Sequence, residues 1–127
     1  VPSIEKIVID GILPSLNEYV NRERSNRYSA AGLKHKYTTL CSVYTRAGMN
    51  AGIHFNWPCR LKFTWYLKDK RKDPDNVAFA KKFILDGFQQ CGFLDNDNLK
   101  HITGFVDEFY IDKEHPRVEI EALGGQP

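Results

Sequence analysis

What the chain lacks narrows it first. No stretch approaches the roughly 18 uninterrupted apolar residues that cross a bilayer, and "VPSIEKIVID" has no basic-then-apolar leader layout, so a cytoplasmic protein with no membrane partner is expected. Cys41, Cys59 and Cys91 are odd in number and widely spaced, with no C-x-x-C pair and no nearby H-x-x-x-H. That supports neither a disulfide framework nor a zinc site, and buried free thiols are expected. His35, His54, His101 and His115 show no nucleophilic-dyad spacing, and no glycine loop is present to cradle a phosphate. "DNDNLKHITGFV" starts like a calcium loop, yet Leu99, Lys100 and Val106 occupy positions that need an oxygen ligand, a glycine and a bidentate acid. No repeat, low-complexity tract or linker interrupts the sequence, and 127 residues with 42% hydrophobic content suit one domain spanning 1–127.

Net charge is also nearly lacking, at +2, but its distribution is uneven. Residues 1–72 hold 13 Lys and Arg against 5 Asp and Glu, whereas residues 73–127 hold 5 against 11. A basic half suits a polyanion, and acidic oxygens suit the divalent cation that lets phosphate approach carboxylates. The same asymmetry is compatible with a solvated surface whose charges mix on folding.

Hydrophobic periodicity gives the order strand, helix, strand, helix, hairpin. "IEKIVIDGIL" is a strand-length apolar run ended by Pro14, and Ser15 to Glu18 has capping-box spacing. Tyr37, Leu40, Cys41, Tyr44 and Ala47 recur at helical spacing between about Ser29 and Met49. In "CRLKFTWYLK" the residues Leu61, Phe63, Trp65 and Leu67 alternate with Arg60, Lys62, Thr64, Tyr66 and Lys68, a strand with one wet, basic face. Trp57, Trp65 and the tyrosines read as core or dimer residues. "GFVDEFYID" and "PRVEIEAL" read as two strands around "KEHP". The expected fold is a compact single-domain α/β structure whose mixed, largely antiparallel sheet is packed by two main helices.

The charge reversal falls on "RKDPDN". The residue before a proline avoids helical geometry, so Asp73 is expected to be extended, with Asp75 or Asn76 capping a helix over "VAFAKKFILDGFQQCG". At about 100° per residue from Asp75, Lys82 lies near −20° and Asp86 near +20°, opposite an apolar cluster, while Lys81 lies about 120° away. Any surface helix presents such a stripe. Here "FLDNDN" adds Asp95 and Asp97 after Gly92, so four carboxylates flank one element, a donor set suited to Mg²⁺ or Mn²⁺.

The run "DPDN", followed by "KFILDGFQQCGFLDND", resembles the RusA family of Holliday junction resolvases, and "LPSLNEYVN" is similar to that family's Pro-Ser-x-Asn segment. The resemblance is dense over residues 71–97 and sparse elsewhere. It implies metal ligands at Asp73, Asp75 and Asp97. Asn96 stands at the family's other acidic position, where Asp95, one residue earlier, can compensate. The interval from "DN" to the lysine is about three residues longer than in the family's best-known members, nearly one helical turn, so Lys82 keeps its direction.

The activity so implied is Mg²⁺-dependent hydrolysis of DNA, with Mn²⁺ able to substitute, by a homodimer that makes paired symmetric cuts in a four-way junction during recombination and repair in a bacterial or phage-infected cell. Lys82 then stabilises transition-state charge, with Asp86 orienting Lys82 or supporting metal waters. Lys34, Lys36, Lys68, Lys70, Arg71 and Lys72 are candidate phosphate contacts. The alternatives are a broader branched-DNA or flap nuclease, and a non-catalytic DNA-binding or assembly module whose acids are a solvated rim.

Overall fold

The computed structural model describes residues 5–124 as one α/β layer pair. The elements run β1 (Ile7–Asp10), α1 (Leu16–Ser25), α2 (Arg27–Asn50), β2 (Cys59–Leu67), α3 (Pro74–Ala78), α4 (Lys81–Gln90), β3 (Ile102–Ile111) and β4 (Arg117–Leu123). The first expected strand shortens to β1, and its Ile4 lies outside the described residues. The sheet order is β1-β4-β2-β3, with β2 antiparallel to β4 and parallel to β3, so the mixed sheet with α2 and α4 as its main helices is as expected.

Alternation decides which face is covered. Leu61, Phe63 and Trp65 of β2 lie in register with Ala122, Ile120 and Val118 of β4, and this face is buried against Phe83, Ile84 and Phe88 of α4 and Cys41 of α2. α2 and α4 approach very closely at Gly87, where an added Cβ would stand 2.7 Å from Cys41 Cβ and 2.9 Å from the Ser42 backbone nitrogen. The opposite face of β2 is open, but it is not a free basic face. Lys62 pairs with Glu108 and Glu121, Arg117 pairs with Glu119 and Asp112, and the Arg117 guanidinium lies 3.8 Å from the Tyr66 ring centroid.

Two local expectations are corrected. The last two strands do not form a hairpin, because β2 lies between them. The chain from β2 through α3 and α4 is a helical crossover that brings β3 parallel beside β2, and β4 then takes the other edge of β2. Residues 112–116 step across one strand, tied by Arg117 to Asp112 and to the His115 carbonyl. The second helix is also broken. Phe79 and Ala80 form a turn, and Lys82 N donates to Phe79 O, Phe83 N to Ala80 O, in three-residue steps tighter than an α-helix. An unbroken wheel from Asp75 to Asp86 therefore does not describe residues 79–82. The helix after Ser15 is a separate element, α1, which ends where Asn26 turns extended and caps α2 through Tyr28 N.

Candidate metal and nucleic-acid site

The "DPDN" stretch stands beyond the Leu67 end of β2. Asp73 is extended (φ −75°, ψ 150°), as its place before Pro74 requires, and Pro74 begins the helix. Asp73 therefore holds the N-cap position, although its side chain makes no capping bond. Asp75 and Asn76 sit in the first turn and not at the cap. Asp75 Oδ1 accepts from Asn76 N (2.9 Å), and both Asp73 and Asp75 are exposed.

The other family-like segment docks here. Asn17 N donates to Asn76 Oδ1 at 2.9 Å, and Lys72 Nζ donates to Glu18 Oε1 at 3.1 Å. Ser15 and Glu18 close the expected capping box, which presents Asn17 and Glu18 to this contact. Partial burial works to raise the Glu18 pKa, but hydrogen bonds from Lys72 and Ser15 outweigh it and leave the pKa lowered. Below α3 a cleft is lined by Leu13, Ser15, Leu67, Lys72, Val77 and Arg117. Two sequence segments more than fifty residues apart thus form one rim, with Lys68, Lys70 and Arg71 exposed beside it.

Asp95 and Asp97 are elsewhere. The loop that carries them enters β3 beside Cys59: Cys59 N donates to His101 O, and Asn98 O accepts from His101 N and Ile102 N. Register runs from Cys59 beside Ile102 to Leu67 beside Ile111, so this loop lies at the opposite end of β2, roughly 26 Å along the strand from Leu67. The length of α3 and α4 accounts for the separation, because the chain travels back down the sheet between the two acid pairs. Among the described residues no three His, Cys, Asp or Glu side chains lie where they could hold one metal ion. Asp73 and Asp75 adjoin at the start of α3, and Asp97 is not brought to them within one chain.

The remaining candidates separate by role. Lys82 is exposed with no ion pair among the described residues, whereas Asp86 lies 3.9 Å from Lys34 on α2 and not in the expected pair with Lys82. Lys36 lies over the Tyr37 ring, and Lys72 is engaged by Glu18. Trp57 and Trp65 pack within their own chain, whereas Tyr28 is 76% exposed. One interaction escapes the sequence reading: Lys81 Nζ and Trp65 Nε1 both donate to Asp107, and Lys81 also lies over the Phe63 and Phe105 rings. Its signal is the position of Asp107 between Phe105 and Phe109 on an alternating strand, which turns an acid toward the covered face. Cys41 and Cys59 offer no nucleophile, since burial pushes the Cys41 thiol up to about 12 and raises that of Cys59, whereas Cys91, expected to be buried, is only half-buried.

The donor chemistry at "DPDN" fits a hard divalent cation. Asp73 and Asp75 offer carboxylate oxygens that no cationic side chain neutralises among the described residues. Mg²⁺ retains several waters and takes only one or two carboxylates beside a substrate phosphate. In comparisons with known proteins, no family model matches the chain and no curated sequence matches it significantly.

Proposed function

We propose that the protein is a Mg²⁺-dependent, structure-specific endodeoxyribonuclease that resolves four-way DNA junctions in the cytoplasm during recombination and repair, in the manner of the RusA family. The observation that carries the reading is the rim at "DPDN": two exposed carboxylates with no ion pair among the described residues, docked to the Ser15–Glu18 segment and bordered by Lys68, Lys70 and Arg71. Phosphate-binding cations and cation-binding acids stand side by side there, as phosphodiester hydrolysis needs. Asp73 and Asp75 would hold the cation, which when bound lowers the pKa of an attacking water and offsets charge on the leaving oxygen. Lys82, exposed and without an ion pair among the described residues, supplies positive charge to the phosphate.

Because Asp97 lies at the far end of β2 from Asp73 and Asp75, its part in the same site requires a second copy of the chain. A two-fold dimer satisfies this, placing "DPDN" of each copy against the Asp95–Asp97 loop of the other, and it also supplies the two cuts that a junction requires. The separation of the acids within one chain also favours a second reading, a DNA-binding module without catalysis.

The test is a labelled four-way junction, a labelled flap and a matching linear duplex, each incubated with Mg²⁺ or EDTA. Symmetric nicks in the junction alone, dependent on Mg²⁺ and lost in Asp75→Asn, are expected. A junction that is bound but stays intact across divalent metals and pH makes the binding module the correct reading. Cutting of flaps and junctions at equal rates makes the enzyme a broader branched-DNA nuclease.

A further inference from the structure

α1 begins at the "DPDN" rim and carries the chain away from it. Asn17 and Glu18, in its first turn, hold Asn76 and Lys72, and Tyr19 packs on Phe79 and Phe83. No residue of α1 is buried, and every residue from Asn21 to Tyr28 is exposed although all but Asn26 are helical. The corner between α1 and α2 therefore projects from the body as an ordered arm. A segment that buries so little contributes little to the core, and its composition has to be explained by what it meets outside.

That composition is cationic. Residues 21–36 contain Arg22, Arg24, Arg27, Lys34 and Lys36 against a single acid, Glu23. None of the three arginines forms an ion pair among the described residues. Arg22 Nη1 donates to Ser29 Oγ at 3.1 Å, which braces the corner, while Arg27 lies 5.8 Å from the centroid of the exposed Tyr28 ring. The open sheet face behaves in the opposite way, since its Lys62 and Arg117 are each matched by acids. Unmatched guanidinium groups on a projecting arm suit phosphate oxygens, which they grip through paired N–H donors.

We infer that the α1–α2 corner is a clamp on the DNA backbone of the arm that leads away from the "DPDN" rim, with Arg24 and Arg27 as phosphate contacts and Arg22 as the brace. This rests on the nuclease reading of that rim and adds residues to it. The spacing follows from α1 itself. At about 1.5 Å per helical residue, Arg24 stands roughly 10 Å along the axis from Asn17. A strand rises about 3.4 Å per nucleotide, so the clamp holds phosphates on the order of three nucleotides from the rim.

The experiment is salt-dependent binding of a fluorescein-labelled four-way junction in EDTA, where no cutting intervenes, to the wild-type chain, to Arg24→Gln/Arg27→Gln and to Arg24→Lys/Arg27→Lys. Each protomer loses two duplex phosphate contacts and the two-fold dimer four, which lowers the slope of log K against log salt by about 3.6 and weakens binding at 0.1 M salt by more than two orders of magnitude, roughly. The lysine pair keeps the charge and recovers most of the slope. A glutamine pair with the wild-type slope and affinity overturns the clamp while leaving the nuclease reading intact. A lysine pair as weak as the glutamine pair also overturns it, by showing that the arginines act through the shape of the corner. Failure of the wild-type chain to bind the junction at any salt concentration removes both the clamp and the nuclease reading.

Discussion

Two adjacent lysines separate stability from chemistry. Lys81 is held against Asp107 with about a fifth of each side chain exposed, so Lys81→Ala leaves a half-buried carboxylate without its charged donor and should cost roughly 1–3 kcal/mol in urea unfolding. Lys82 is exposed and unpaired among the described residues, and Lys82→Ala should change the unfolding free energy by less than about 0.5 kcal/mol while slowing junction cutting. The opposite assignment, with Lys81→Ala stable and inactive, would move the proposed catalytic cation one residue along. Asp75→Asn belongs with Lys82: an exposed, unneutralised acid is expected to lose on the order of 100-fold or more in cutting rate with an unchanged unfolding midpoint. Sequence periodicity correctly placed Lys82 on the wet side. It could not show that Lys81 finds an acid on β3, because that contact depends on which strand follows the crossover.

Among the elements, the contact between α2 and α4 is the most sensitive. Gly87→Ala sets a methyl group against the Cys41 side chain and the Ser42 and Thr38 backbone, which cannot yield without moving α2. A loss of about 1–3 kcal/mol is expected in denaturant unfolding. Ser15→Ala removes the α1 cap and should cost about 0.5–2 kcal/mol, and because that cap presents Asn17 to Asn76, junction cutting should weaken with it. Both helices of the core and the alternation of β2 were legible in the sequence, since burial on one face imprints a period on the residues themselves. The false hairpin has the same origin. "GFVDEFYID" and "PRVEIEAL" each report a strand, but neither reports that β2 needs a neighbour on both edges. The break at Phe79 and Ala80 left no proline or glycine to mark it.

For the whole molecule, acid should loosen the ties that position the site. Glu18 and Glu119 carry lowered pKa values: in each, partial burial pushes upward and is outweighed by hydrogen bonds, from Lys72 and Ser15 to Glu18, and from Arg117 and Lys6 to Glu119. A lowered folded-state pKa means that the unfolded chain binds the proton first. The stabilisation is therefore complete above the ordinary glutamate range and is lost as pH falls through the lower folded values. Urea midpoints should be flat near neutrality and drop below about pH 4.5, and Glu18→Gln should shallow that drop. The acid pairs were visible in the sequence, but their distance was not, because it is set by the crossover that lays α4 along the sheet. This separation makes the second copy necessary to the proposed site, and mixing two inactive variants tests it most directly. Asp75→Asn and Asp97→Asn chains, each unable to cut a labelled four-way junction in Mg²⁺, are mixed and allowed to exchange subunits. The account predicts that cutting returns, as single nicks, because each mixed dimer holds one site with both acids intact. Active single variants, or a mixture that stays inactive although its subunits have exchanged, would contradict it.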